Sequence, residues 1–221
     1  MSLSTVPLFA GSIYRFLQGA RAVIRSSPYP RFLLWVDAVG SFLVCPSPEV
    51  RLGQAVPGNP VEVPLLADVS RHHATIRLDG ESYLIDSRRD VRVNGRKLES
   101  SGRIGDGSLI ELGSSVQLRF RRPHPLSATA RLDFESHHHT HPSANSIVLL
   151  ADACVLGPSS KSHVVCPDWP RDVVLFSRQG QLFCRTEGAL EVDGSRRLHS
   201  APITPHSRVA GDHFSFSLEA I

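Results

Sequence analysis

The chain has 221 residues, 41% of them apolar, with 16 glycines and 16 prolines. That composition fits a turn-rich globular protein long enough for two small domains, and it excludes a disordered or fibrous chain. The formal charge of +3 comes from Arg15, Arg21, Arg25 and Arg31 in an acid-free stretch; the remainder is nearly neutral, which argues against nucleic acid as a partner.

Phe9, Ile13, Phe16, Leu17, Ala20, Val23 and Ile24 share one face at helical period, and Arg15, Gln18, Arg21 and Arg25 lie opposite. The spacing predicts a short amphipathic helix within a basic arm, residues 1–30, stopped by Ser26-Ser27-Pro28. Its apolar face has several candidate uses: packing on the rest of the chain, pairing with a second copy in a homodimer, docking on a partner, or a weak membrane-surface contact through residues 9–25. An acid-free, arginine-bearing start also has the character of an organelle transit sequence. No basic start followed by an unbroken apolar run marks a secretory signal, and no apolar run is long enough to span a bilayer. A soluble, cytoplasmic protein is expected. Cys45, Cys154, Cys166 and Cys184 show no CxxC spacing and sit among apolar residues, as buried free thiols in a reducing compartment would.

From residue 31 the apolar period changes to two. Strands are predicted at 32–37, 41–45, 49–52, 61–66, 73–79, 82–86, 91–94, 109–112 and 115–120. Pro57-Gly58-Asn59, Asp79-Gly80, Asn94-Gly95 and Gly105-Asp106-Gly107 mark turns between them. Short, closely spaced strands pairing in hairpins predict an all-β fold with a β-sandwich over residues 31–122.

Within this stretch lie Leu52-Gly53-Gln54, Ser70-Arg71-His72-His73-Ala74, Asp86-Ser87-Arg88-Arg89-Asp90 and Val93-Asn94-Gly95. In order and spacing they resemble a forkhead-associated (FHA) domain, a phosphothreonine-recognition sandwich whose pattern runs Leu-Gly-Arg, Ser-Arg-x-His-Ala, Asn-Gly-Thr and Val-Asn-Gly. The resemblance implies a phosphopeptide site built from Ser70, Arg71, Gln54, Arg88, Arg89 and Asn94, with Gly53, His73 and Gly95 structural. Two departures matter. Gln54 stands where the family has a phosphate-binding arginine; since hydrogen bonds to charged groups contribute about 1.5–3 kcal/mol, that loss costs roughly tenfold or more in affinity. The Asn-Gly-Thr loop is replaced by Arg88-Arg89-Asp90, whose guanidinium groups, with Arg71, can restore the missing charge or simply face solvent.

Residues 121–127 read as a connection, followed by a strand at 130–134 and by His137-His138-His139-Thr140-His141. Such a run can chelate zinc or nickel, but with no carboxylate or cysteine beside it no metal site is assigned, and an exposed turn is expected. Beyond it the first half recurs at offsets of 98 to 100: Arg71 as Arg171, Gly80 as Gly180, Val93-Asn94-Gly95 as Val192-Asp193-Gly194, and 116–120 as 214–218, while Leu52-Gly53 recurs as Leu156-Gly157. This predicts a second, divergent FHA-like sandwich over 123–221. There Pro170 and Val173 replace Ser70 and His73, so a scaffolding role is expected, with Arg171 paired to Asp168 or Asp172 and Trp169 in an apolar contact patch.

No nucleotide loop, nucleophile elbow, HExxH or paired-cysteine motif is present, so neither catalysis nor a cofactor is expected. The reading is a non-catalytic signalling adaptor whose first domain binds a phosphothreonine-containing or acidic segment of a protein partner, a Ser/Thr kinase or its substrate. The alternative is a phosphate-independent scaffold.

Overall fold

A computed structural model of the chain describes residues 31–124 and 126–221; the N-terminal helix expected from the sequence lies outside them. All regular structure described is β. The first half contains β1 (Phe32–Val36), β2 (Gly40–Cys45), β3 (Glu49–Gln54), β4 (Val63–Leu65), β5 (Ala74–Asp79), β6 (Ser82–Ser87), β7 (Val91–Val93), β8 (Arg96–Lys97), β9 (Ser101–Ile104), β10 (Leu109–Leu112) and β11 (Val116–Arg121). The second contains β12 (Ala130–Phe134), β13 (Ser146–Leu149), β14 (Ala153–Gly157), β15 (Val164–Val165), β16 (Val173–Arg178), β17 (Gln181–Val192), β18 (Ser195–Ile203), β19 (Arg208–Gly211) and β20 (Phe214–Ala220). Strands β8 and β9, unforeseen in the sequence, are short and largely exposed, so they carry no apolar alternation to read.

Sheet topology explains how these strands build two cores. One sheet of five strands runs β4-β3-β5-β6-β9, and a fifteen-stranded sheet carries β1, β2, β13 and β12 through its middle. The five-stranded sheet packs on β7, β10, β11, β12 and β13 over a first core that includes Leu52, Ile76, Ile85, Ile110, Leu118, Phe120, Leu132 and Ile147. The second core gathers Leu156, Leu175, Cys184, Val209, Phe216 and Leu218 with Phe32, Leu34, Val36, Phe42 and Val44 of the first hairpin.

The boundary expected at residues 122/123 is therefore not a boundary between packing units. β11 pairs with β12, matching Leu118 to Phe134 and Phe120 to Leu132. β20 pairs not with its own half's first strand but with β1, matching Phe216 to Val36 and Leu218 to Leu34. Adding 98 to each β11 residue and subtracting 98 from each β12 residue converts the first ladder into the second, pair for pair. The packing units are thus 49–149 and 150–221 joined to 32–45. Both faces of β2 are covered, Leu43 and Cys45 facing the first core and Phe42 and Val44 the second. At about 1.5–3 kcal/mol for each large apolar side chain buried, this central hairpin is a major source of stability for both halves.

The turn chemistry repeats in the same way. Asn94 (φ 51°) and Gly95 (φ 76°) form a tight turn, as do Asp193 (φ 51°) and Gly194 (φ 79°). The Asn94 Oδ1 accepts from Leu109 N at 2.9 Å, and the Asp193 Oδ1 accepts from Arg208 N at 2.8 Å.

The four cysteines are free and buried. Among the described residues no helix is long and apolar enough to cross a membrane.

Candidate functional site

Gln54 ends β3 at the same end of the sandwich where β4 finishes and β5 begins, because β3 and β4 run parallel and β5 antiparallel to them. The Ser70–His73 loop is laid across that end. Gln54 N donates to Ser70 O (3.0 Å), and His73 N donates to Leu52 O (2.9 Å). Glycine is required at position 53: a Cβ there would stand 1.8 Å from the Arg71 carbonyl oxygen, so any side chain would lift the loop from the strand.

His73 is buried and braces this loop. Its Nδ1 accepts from Ser70 N (3.2 Å), which leaves the proton on Nε2 to donate to Asp90 O (2.9 Å). Arg88 N donates to His73 O (3.0 Å). The β6–β7 loop and the Ser70 loop are therefore bound to one another through a single imidazole and its own backbone.

A residue the sequence reading passed over completes the frame. The Asn59 carboxamide donates to Gln54 O (2.8 Å) and to Arg71 O (2.7 Å), tying the β3–β4 crossover to the loop. Pro57-Gly58-Asn59 was legible as a turn, but nothing in the spacing shows that its amide reaches two carbonyls twelve and five residues away.

The side chains carried by this frame differ in availability. Ser70 and Gln54 are partly exposed; Arg71, Arg88 and Arg89 are exposed and form no salt bridge among the described residues, unlike Arg51, Arg77 and Arg119, which pair with Glu62, Asp86 and Glu135. His72 is held below the usual imidazole range first by burial and then by the neighbouring Arg88 and Arg51 charges, which Glu62 and Glu49 oppose. Asn94 lies beyond β7, and its side-chain oxygen is engaged by Leu109. The structure thus draws Gln54, Ser70, Arg71 and Arg88 together, leaves Arg89 beside them, and gives Asn94 a turn-holding task.

The corresponding end of the second half is closed. Above Gly157, the counterpart of Gly53, sits a carboxylate: a Cβ at 157 would lie 1.9 Å from Asp172 Oδ1. Burial pushes the Asp172 carboxyl upward. Arg171 donates to Glu187 O (3.0 Å) and not to Asp168 or Asp172 as expected. Trp169 is buried, its ring 5.5 Å from that of Phe214, which corrects the expectation of an exposed tryptophan patch. Its flanking turn folds inward because Trp169 N donates to Cys166 O, seating the indole in the second core.

No curated protein matches the chain. Among solved structures, one from a structural and functional analysis of phosphothreonine-dependent FHA domain interactions aligns at 24% identity over 38% of this chain and 88% of its own, with a TM-score of 0.28. The family model for the FHA domain matches residues 50–113, the stretch holding Gly53, the Ser70–His73 loop, the β6–β7 loop and the Asn94-Gly95 turn; FHA domains are protein-interaction modules, generally non-enzymatic, that bind phosphothreonine peptides. Residues 50–113 of this chain are a forkhead-associated domain.

Proposed function

We propose that the first sandwich binds a phosphothreonine-bearing or acidic segment of a protein partner, without catalysis. The observation that carries the reading is the braced Ser70–His73 loop with unpaired guanidinium groups on either side, Arg71 within it and Arg88 on the loop tied to it. The Ser70 hydroxyl can hydrogen-bond a phosphate oxygen, Arg71 and Arg88 supply charge in place of the missing family arginine, and the Gln54 amide adds a neutral donor. The partner would then be a Ser/Thr kinase or one of its substrates. The second half, with Pro170 and the half-buried Asp172 at the equivalent end, would serve to complete the fold.

The test is titration of the full chain with a degenerate phosphothreonine peptide library beside its unphosphorylated twin. Phosphate-dependent binding should fall tenfold or more in Ser70→Ala/Arg71→Ala. Equal affinity for the two libraries, or indifference to those substitutions, would overturn the reading.

A further inference from the structure

The histidine run lies in the loop between β12 and β13, in the second half by sequence, yet the crossed hairpins place it on the FHA domain. Thr140 bridges Leu65 in antiparallel sense. Leu66 N donates to His139 O and His141 N donates to Pro64 O, both at 2.9 Å. The segment therefore meets the free edge of β4 through a single antiparallel bridge, and β4 leads within five residues to Ser70. Further along, His138 Nε2 lies 3.4 Å from Ser115 Oγ. Ser115 belongs to the turn whose Gly113, given a Cβ, would lie 3.8 Å from the His73 ring. The arm and the phosphate-loop brace are thus neighbours across one turn.

Alternation about this bridge decides which side chains face outward. Thr140 is buried, so His139 and His141 point to the opposite side, and both are exposed, as is His137. Beside them Leu66 is 53% exposed. Residues 136–142 contain no acid, and an imidazole presents an N–H donor in either protonation state.

We propose that Leu66 and the outward histidines of this arm, His139 and His141, form a second wall of the partner-binding face, accepting an acidic side chain of the same segment that meets Ser70 and Arg71. The inference rests on the peptide-binding reading above. It assigns the second half a direct part in recognition, through an element that the FHA match at 50–113 does not include.

The experiment compares full-length wild type, His139→Ala/His141→Ala, Leu66→Ser and Ser70→Ala on the degenerate phosphothreonine library and on an unphosphorylated Asp/Glu-rich library. The arm is held by backbone hydrogen bonds that alanine retains, so the double histidine variant should fold, as checked by an unchanged Tm; Leu66→Ser approaches the same wall from β4. Wild type should select acidic residues flanking phosphothreonine. The double histidine variant should keep phosphate dependence, lose that selection, and bind the preferred peptides about tenfold more weakly, the scale of one hydrogen bond to a charged group. Leu66→Ser should weaken the same peptides. Unchanged flanking preferences in both wall variants, with binding still lost in Ser70→Ala, would overturn the second wall and leave the phosphate site standing. If no library member binds in a phosphate-dependent way, the acidic library decides: binding weakened by the histidine substitutions supports the wall, and absent or unaffected binding refutes it.

Discussion

Cutting the chain in the connection between β11 and β12 should leave neither half folded. A fragment of residues 31–124 retains β1–β11 but loses Leu132, Ile147 and Leu149, all essentially inaccessible to solvent in the first core. At about 1.5–3 kcal/mol per large side chain, their absence removes about 5–9 kcal/mol. It also strips β11 of β12 and β2 of β13, leaving each with one neighbour. The net stability of a domain is about 5–15 kcal/mol, so the deficit is comparable to the whole. The fragment 126–221 fares no better, lacking Phe32, Leu34, Val36, Phe42 and Val44 of the second core. Far-UV circular dichroism with urea titration checks this: each fragment alone should show no cooperative transition, their equimolar mixture should regain β structure, and the full chain should unfold in one step. A sigmoidal urea transition from 31–124 alone, at a stability of several kcal/mol, would refute the crossed-hairpin account.

Other consequences are narrower. Gly53→Ala places a methyl carbon against the Arg71 carbonyl; we expect a loss of about 1–3 kcal/mol by urea melting together with loss of peptide binding, and wild-type behaviour in both would show that the loop can move aside. His163 is buried, accepts from Val155 N through Nδ1, and is pushed down to about 4 by burial and by the His124 ring 6.0 Å away. The unfolded chain takes up this proton near pH 6.5 while the fold resists until about pH 4. The stability from a neutral His163 is therefore fully present above pH 6.5 and lost as pH falls, by about 3 kcal/mol across that window. In His163→Asn, whose amide oxygen can still accept from Val155, the slope of stability against pH between 4 and 6.5 should flatten; an unaltered slope would exclude His163 as its source. Burial raises Cys154, Cys166 and Cys184 to about 12, so a thiol reagent should label the native protein slowly at all four cysteines and label four thiols at once in denaturant. Rapid labelling of the native chain would contradict their burial.

Alternation and turn residues by themselves determined the all-β class, most strand positions and the FHA loop pattern, because those signals are local: a period of two, or a glycine or asparagine where φ must be positive. The likeness of the Asn94 and Asp193 turns was equally legible, and the structure shows each holding its carboxamide or carboxylate oxygen against a strand amide. Which hairpin closes which half was not legible. β1 and β12 stand at equivalent places 98 residues apart, and neither the continuous apolar run of β1 nor the alternation of β12 names a partner strand; only tertiary pairing sends β1 to β20 and β12 to β11. The same limit governs the site. Ser70, Arg71 and His73 could be picked out by spacing, whereas Asn59 and the histidine arm reach the site through folding, across sequence distances that no local period records.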